Sequence, residues 1–376
     1  MPFIPNLMFY WRSVRWVGLM LAGFFTAVSL SLSPVSAQTN TEDVFCTARS
    51  EPIANPIQGR SYGDPHINTY DGLHYSFQTV GEFILTQTRT ASLEVQARQK
   101  PVTSLNNVSL NSAVAMQVCG HRVVIYAQDI PDGGSAPVWV DGIPTSVPDA
   151  IPLSGGGEVQ KVNDREYAVI WPSGDQVLTH FISVGGDRFL NLMPTLSRAH
   201  AGNLVGLLGN FNGSADDDLM SRDGTLVPAE SSYSVATNAL DRVLPAVIPV
   251  REVEDAYFDS LYRQFGDSWR ISQAESLFDY GPNQSTETFT DRAFPREFVT
   301  LNAVAPAQVQ SALETCRNAG VEEALLDGCV FDVATTGQSD FATAAANAIA
   351  DAVVQELTDR LIDEVLDAVP VPRFPF

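Results

Sequence analysis

Lysine is almost absent: Lys100 and Lys161 are the only two in 376 residues. With arginine included, 22 basic side chains stand against 44 acidic ones, a formal net charge of −22. A phosphate backbone is held by Lys and Arg, so nucleic acid is excluded as a partner; the balance suits a soluble protein that collects cations. Histidine is scarce too. His66, His74, His121, His180 and His200 are scattered, with no HExxH pair for a zinc hydrolase. No Gly-x-Ser-x-Gly elbow occurs. Gly155-Gly156-Gly157 lacks the Lys and the helix of a phosphate loop. Carboxylates abound, but none is singled out as an acid–nucleophile pair. The chain is therefore read as a non-enzyme, with an unrecognised hydrolase as one alternative.

Long apolar runs are missing except at the N-terminus. There Arg12 and Arg15 precede an apolar segment from Trp16 to Leu32, and Val35-Ser36-Ala37 offers a small-residue cleavage site. Residues 1–37 read as a signal peptide, with an uncleaved anchor as the alternative. The mature chain is then expected to be secreted or on the extracellular surface, with no membrane span. Cysteines number only four: Cys46, Cys119, Cys316 and Cys329. Their spacings match no CxxC-type zinc site, and an even count in an exported chain favours disulfides. Three pairings are open. The most local joins Cys316 to Cys329 and leaves Cys46 with Cys119.

What is present divides by texture. Residues 38–57 read as an exposed lead-in, interrupted by Pro52 and Pro56. From Tyr62 to Met193, apolar residues alternate with polar ones, as in Leu93-Val95-Ala97, Val114-Met116-Val118, Tyr167-Val169-Trp171 and Val177-Thr179-Phe181. Turn signals such as Asp71-Gly72, Asp141-Gly142 and Gly185-Gly186 separate the runs. Period-two patterning with glycine turns predicts antiparallel strands packed as a β-sandwich. Pro245 and Pro249 fall in a linker over 236–255. A separate, mostly α-helical domain should follow, giving an α+β chain. Its helices are expected from Pro306 to Asn318, from Val321 to Ala334, and from Ser339 to Val369. Phe341, Ala345, Ile349, Val353, Leu357, Leu361 and Val365 recur at four-residue steps in the last. They form one face of an amphipathic helix, packed on its own domain or serving as a homo-oligomer seam.

The segment from Gly206 to Leu219 is the most chemically informative. Two Asn and three Asp fall within nine residues, from Asn210 to Asp218. Calcium takes six to eight oxygens from carboxylates, amides and backbone carbonyls, and a tight glycine-containing loop supplies them. Adjacent carboxylates repel one another without a cation. A solvated polar turn would use the same residue types. An EF-hand starting at Asp216 is excluded, because Ser221 and Val227 stand where Gly and Glu are required.

A second segment gives this loop a context. Gly63-Asp64-Pro65-His66, then Tyr70-Asp71-Gly72, Tyr75-Ser76-Phe77 and Gly81-Glu82-Phe83 lie near the start of the strand-rich stretch. Gly209-Asn210-Phe211-Asn212-Gly213, the paired Asp217-Asp218 and Asp223-Gly224 lie near its end. Together they closely resemble the two ends of the von Willebrand factor type D domain, over residues 58–235. The resemblance implies a calcium-stabilised module for adhesion, matrix assembly or protein–protein interaction, with an extracellular protein or matrix component as partner. It implies a structural calcium held by Asp71, Asn210, Asn212, Asp217 and Asp218, with a backbone oxygen near Phe211 and Asp216 just outside. Leu208 departs from the family, which often has Cys there. The usual bridge to this loop must then be missing, with Cys46–Cys119 as a candidate substitute. Gly63-Asp64-Pro65-His66 also resembles the tetrapeptide of self-cleaving family members. Its alternative reading is scission at Asp64–Pro65, with His66 assisting proton transfer; a plain structural turn is the other. Residues 256–337, with Phe265-Gly266-Asp267-Ser268-Trp269, Cys316 and Cys329, more distantly resemble the small C8 helical module. Residues 338–376 make up the C-terminal helix and tail.

Overall fold

The computed structural model describes residues 44–46, 53, 55–105, 107–227 and 257–348. The signal peptide and the linker over 236–255 lie outside these residues, as does the chain beyond Ala348. Among the described residues no helix is long and apolar enough to cross a membrane.

Alternating sequence becomes antiparallel β-structure. Glu94–Pro101 pairs with Gly81–Thr88 on one side and Ser109–Val118 on the other. Gln176–Val184 and Asp187–Leu196 form a long hairpin across Gly185-Gly186, both glycines at positive φ. The result is a curved antiparallel half-barrel followed by a small helical region, α+β as expected. Among the described residues sixteen strands join in one hydrogen-bonded network. The principal core is built from Phe77, Phe83, Val95, Val114, Met116, Val169, Trp171 and Leu192.

Pro306–Asn318 (α1), Glu323–Thr336 (α2) and Asp340–Ala346 (α3) are helical. Pro306 occupies the first turn of α1, where its missing N–H is not needed. Gly337 ends α2 in the left-handed conformation, which a glycine adopts without strain. The long helix expected over 339–369 stops at Ala346 among the described residues; the rest of that expectation, and the oligomer seam it carried, lie outside them.

Two expectations need correction. The helices are not a separate body: Ala312, Cys316, Leu326, Cys329 and Val330 share a core with Tyr62, Ile170, Leu178 and Met193 of the sheet. The apolar faces of the helices and the outer face of the sheet bury each other. Nor is the lead-in wholly exposed. Phe45 is 1% exposed and stacks on His200, ring centroids 4.3 Å apart. Cys46 is bonded to Cys119, and Cys316 to Cys329 joins α1 to α2. A loop-closing disulfide of this kind stabilises mainly by restricting the unfolded chain.

Candidate functional site

The structure gathers the acidic loop residues and Asp71 at one place. Asp71 follows the strand His66–Asn68, in the turn that leads to His74–Ser76. Its Oδ2 accepts the backbone N–H of Asn212 at 2.8 Å and its Oδ1 that of Gly213 at 2.9 Å. These contacts join positions 141 and 142 residues apart. The Asn212 amide donates to both oxygens of Asp217, at 3.1 and 2.9 Å. Asn210 turns its Oδ1 toward the Asn212 N–H at 3.0 Å. Phe211, between them, has φ +57° and packs on Tyr70.

Asp218 lies deeper, 2% exposed, and accepts from Thr69 Oγ1 at 2.6 Å and from the Asn210 N–H at 3.2 Å. Burial pushes its carboxyl up to about 6; the two hydrogen bonds oppose that rise, and the charges of Asp71 and Asp217 add to it. Gly209 is required beside it, since an added Cβ would fall 2.0 Å from Asp218 Oδ1. Asp216 is exposed. The donors gathered here are hard oxygens, the type that suits calcium. Leu208, where the family often has Cys, is fully buried, and its carbonyl accepts the Tyr70 N–H. Apolar packing and this hydrogen bond join the two ends at that point.

A second constellation is buried. Asp64 is 1% exposed, His66 4% and Asp332 of α2 1%. His66 Nε2 is 2.6 Å from Asp332 Oδ1 and 2.9 Å from Asp64 Oδ1. Its single N–H there is directed at Asp332, so Asp64 Oδ1 is an ion-pair contact with no hydrogen bond of its own. The other ring nitrogen meets Ser76 Oγ at 2.8 Å. Asp332 Oδ2 accepts the backbone N–H of Asp64 at 3.3 Å. Burial disfavours charge on the ring, but Asp332 and Asp64 outweigh it and lift His66 to about 10. One imidazolium between two carboxylates leaves a negative charge in the interior. Burial first, and Asp64 next, accordingly raise Asp332 well above the usual carboxylate range. The ligand atoms of the three residues lie within 4.8 Å of one another, so this group could hold a metal ion.

Helix α2 reaches this turn closely because glycines line the contact. A Cβ at Gly328 would fall 2.8 Å from the His66 ring, and one at Gly63 would fall 2.7 Å from Asp332 Oδ2. A cavity of about 210 Å³ opens beside Asp64, lined by Gln78, Phe258, Tyr262, Phe298, Phe331 and Thr335 among others. Sequence reasoning did not find Asp332. The available signal was a lone acid in the apolar run Cys329-Val330-Phe331-Asp332-Val333.

The comparisons agree with this architecture. Residues 59–225 match the von Willebrand factor type D domain. Residues 277–357 match the repulsive guidance molecule C-terminal domain, in the region compared above with the C8 module. Human Sushi domain-containing protein 2 is 26% identical over 298 residues, 77% of this chain and 32% of that protein. Chicken SCO-spondin is 28% identical over 177 residues, 46% of this chain and 3% of that protein. Human zonadhesin is 27% identical over 186 residues, 46% of this chain and 6% of that protein. The chain thus spans about a third of the first relative and a small fraction of the other two.

Proposed function

From the premise that residues 59–225 are a von Willebrand factor type D domain, we propose that this chain is an extracellular adhesion, matrix-assembly or protein-interaction module stabilised by one calcium ion. Type D domains belong to secreted and surface proteins, which supports the setting. The observation that carries the calcium reading is the grip of Asp71 on the backbone of Asn212 and Gly213. It places a carboxylate from the start of the domain against the Asn/Asp loop at its end. Asp71, Asn210, Asn212, Asp217 and Asp218 would hold the ion. Bound there, calcium neutralises the clustered charge and links the two ends, a structural role in which binding energy becomes folding energy. Calorimetric titration of metal-free protein with calcium is expected to give one site, lost in Asp217→Ala and retained in Asp216→Ala. Absence of calcium heat in the wild type would sink the reading.

A second reading, self-processing at Asp64–Pro65, is favoured by a separate observation. The tetrapeptide Gly63-Asp64-Pro65-His66 sits buried among charged groups beside a cavity. A cut after Asp64 would leave the two pieces joined by Cys46–Cys119, which spans the bond. Intact mass should therefore rise by one water without reduction, and two fragments should separate after reduction. A wild-type chain of unchanged mass after long incubation would contradict this reading.

A further inference from the structure

We propose that Asp332, carried by α2 of the helical region, is the positioning residue for scission of the Asp64–Pro65 bond. The inference rests on the self-processing reading and deepens it. The carboxylate spans the scissile bond: Oδ1 holds the ring of His66, and Oδ2 holds the backbone N–H of Asp64. No other described carboxylate forms a three-member group of this kind with Asp64 and His66. The cleavage turn therefore belongs to the β-domain, but its geometry is completed from a position 266 residues along the chain.

The chemistry needs what this arrangement supplies. An Asp64 carboxylate oxygen attacks the carbonyl carbon of its own residue. The bond from that carbon to the Pro65 nitrogen breaks, leaving a cyclic anhydride at Asp64. The departing nitrogen takes the proton that His66 carries. A water then opens the anhydride, giving its hydroxyl to the acyl carbon and a proton back to His66. The net change is one peptide bond and one water becoming a carboxylic acid and an amine. The cavity beside Asp64 has room for that water, since a water occupies about 30 Å³ of liquid. Asp332 acts through His66, fixing the ring with one oxygen and the Asp64 backbone with the other, so that the proton donor and the attacking residue are held together. Ser76 fixes the opposite edge of the ring.

The close fit of α2 is an independent mark of this role. Gly328 lies against His66 and the Tyr62 hydroxyl, and Gly63 against Asp332. Alanine at Gly328 suits a helix better than glycine by about 1 kcal/mol. Its methyl group would nevertheless press on the His66 ring and displace the helix from the turn.

The test uses the full chain, with the rate of water-mass gain followed by intact-mass analysis and confirmed by fragments after reduction. Asp332→Asn keeps the shape but replaces one of the two oxygens that meet His66 and the Asp64 N–H with an amide NH2; Asp332→Glu keeps both oxygens and changes the reach. A positioning role predicts the rate order wild type, Asp332→Glu, Asp332→Asn, with the last slowed about a hundredfold or more, within the range of acid–base assistance. A packing role predicts the reverse order of the two variants. If Asp332→Asn cleaves as fast as Asp332→Glu or faster, the inference is overturned while self-processing stands. If the wild type never gains a water, the self-processing reading fails and the inference falls with it. Should either Asp332 variant not fold, Gly328→Ala decides: slower cleavage by the folded chain supports the role of α2, and an unchanged rate overturns it.

Discussion

The two acidic constellations of this protein are built in opposite ways. The Asn/Asp loop is partly exposed, made almost entirely of residues within nine positions, and closed by one distant partner, Asp71. The Asp64–His66–Asp332 group is buried, and its third member comes from a different region of the chain. Solvent and an incoming cation can settle the charge of the first. The second must settle its charge internally, which is why a histidine sits between the carboxylates. The loop should therefore respond to metal supply, and the buried group to pH and to substitution in α2.

The largest expected effect is at the buried group. Asp332→Ala removes the acceptor of two buried N–H groups, those of the His66 ring and the Asp64 backbone, and empties a contact at α2; it should lower stability by about 3 kcal/mol or more. Denaturant unfolding would measure it, and chelator should leave the loss unchanged. The pH response of the same group has a definite sign. His66 is lifted to about 10 in the folded chain, against about 6.5 when unfolded. Its contribution is complete below about pH 6.5 and is lost as the pH rises through 10. Melting temperatures recorded from pH 6 to 10 should fall more steeply for the wild type than for His66→Gln. Next comes the loop: Asp71→Ala should cost about 1–3 kcal/mol in calcium and little in chelator. Asp216→Ala should change stability by less than about 0.5 kcal/mol under either condition, because its side chain is exposed and outside the expected ligand set. A loss at Asp216 equal to that at Asp71 would erase the distinction between ligand and neighbour.

Legibility in the sequence followed the same division. The strands were readable because half-buried sheet imposes a period of two, and α1 and α2 because Pro306 and Gly337 mark ends. The Asn/Asp loop was readable because its residues are contiguous. Asp71 became visible as its partner only through the two ends of the type D pattern. Asp332 was hidden because nothing local ties it to His66; only the docking of α2 brings them together. The anchoring of the lead-in was likewise hidden. Phe45 between two prolyl-free polar stretches looks like linker until its place against His200 is known. The union of helices and sheet into one body was missed for the same reason, since periodicity shows that a face is apolar but not what covers it.

The most direct measurement is the melting temperature of the full chain in excess calcium and in chelator, compared between wild type and Asp71→Ala. Calcium is expected to raise the wild-type value by several degrees, in line with about 1–3 kcal/mol of linked binding, and to leave Asp71→Ala nearly unmoved. Identical wild-type melting in calcium and chelator would contradict it.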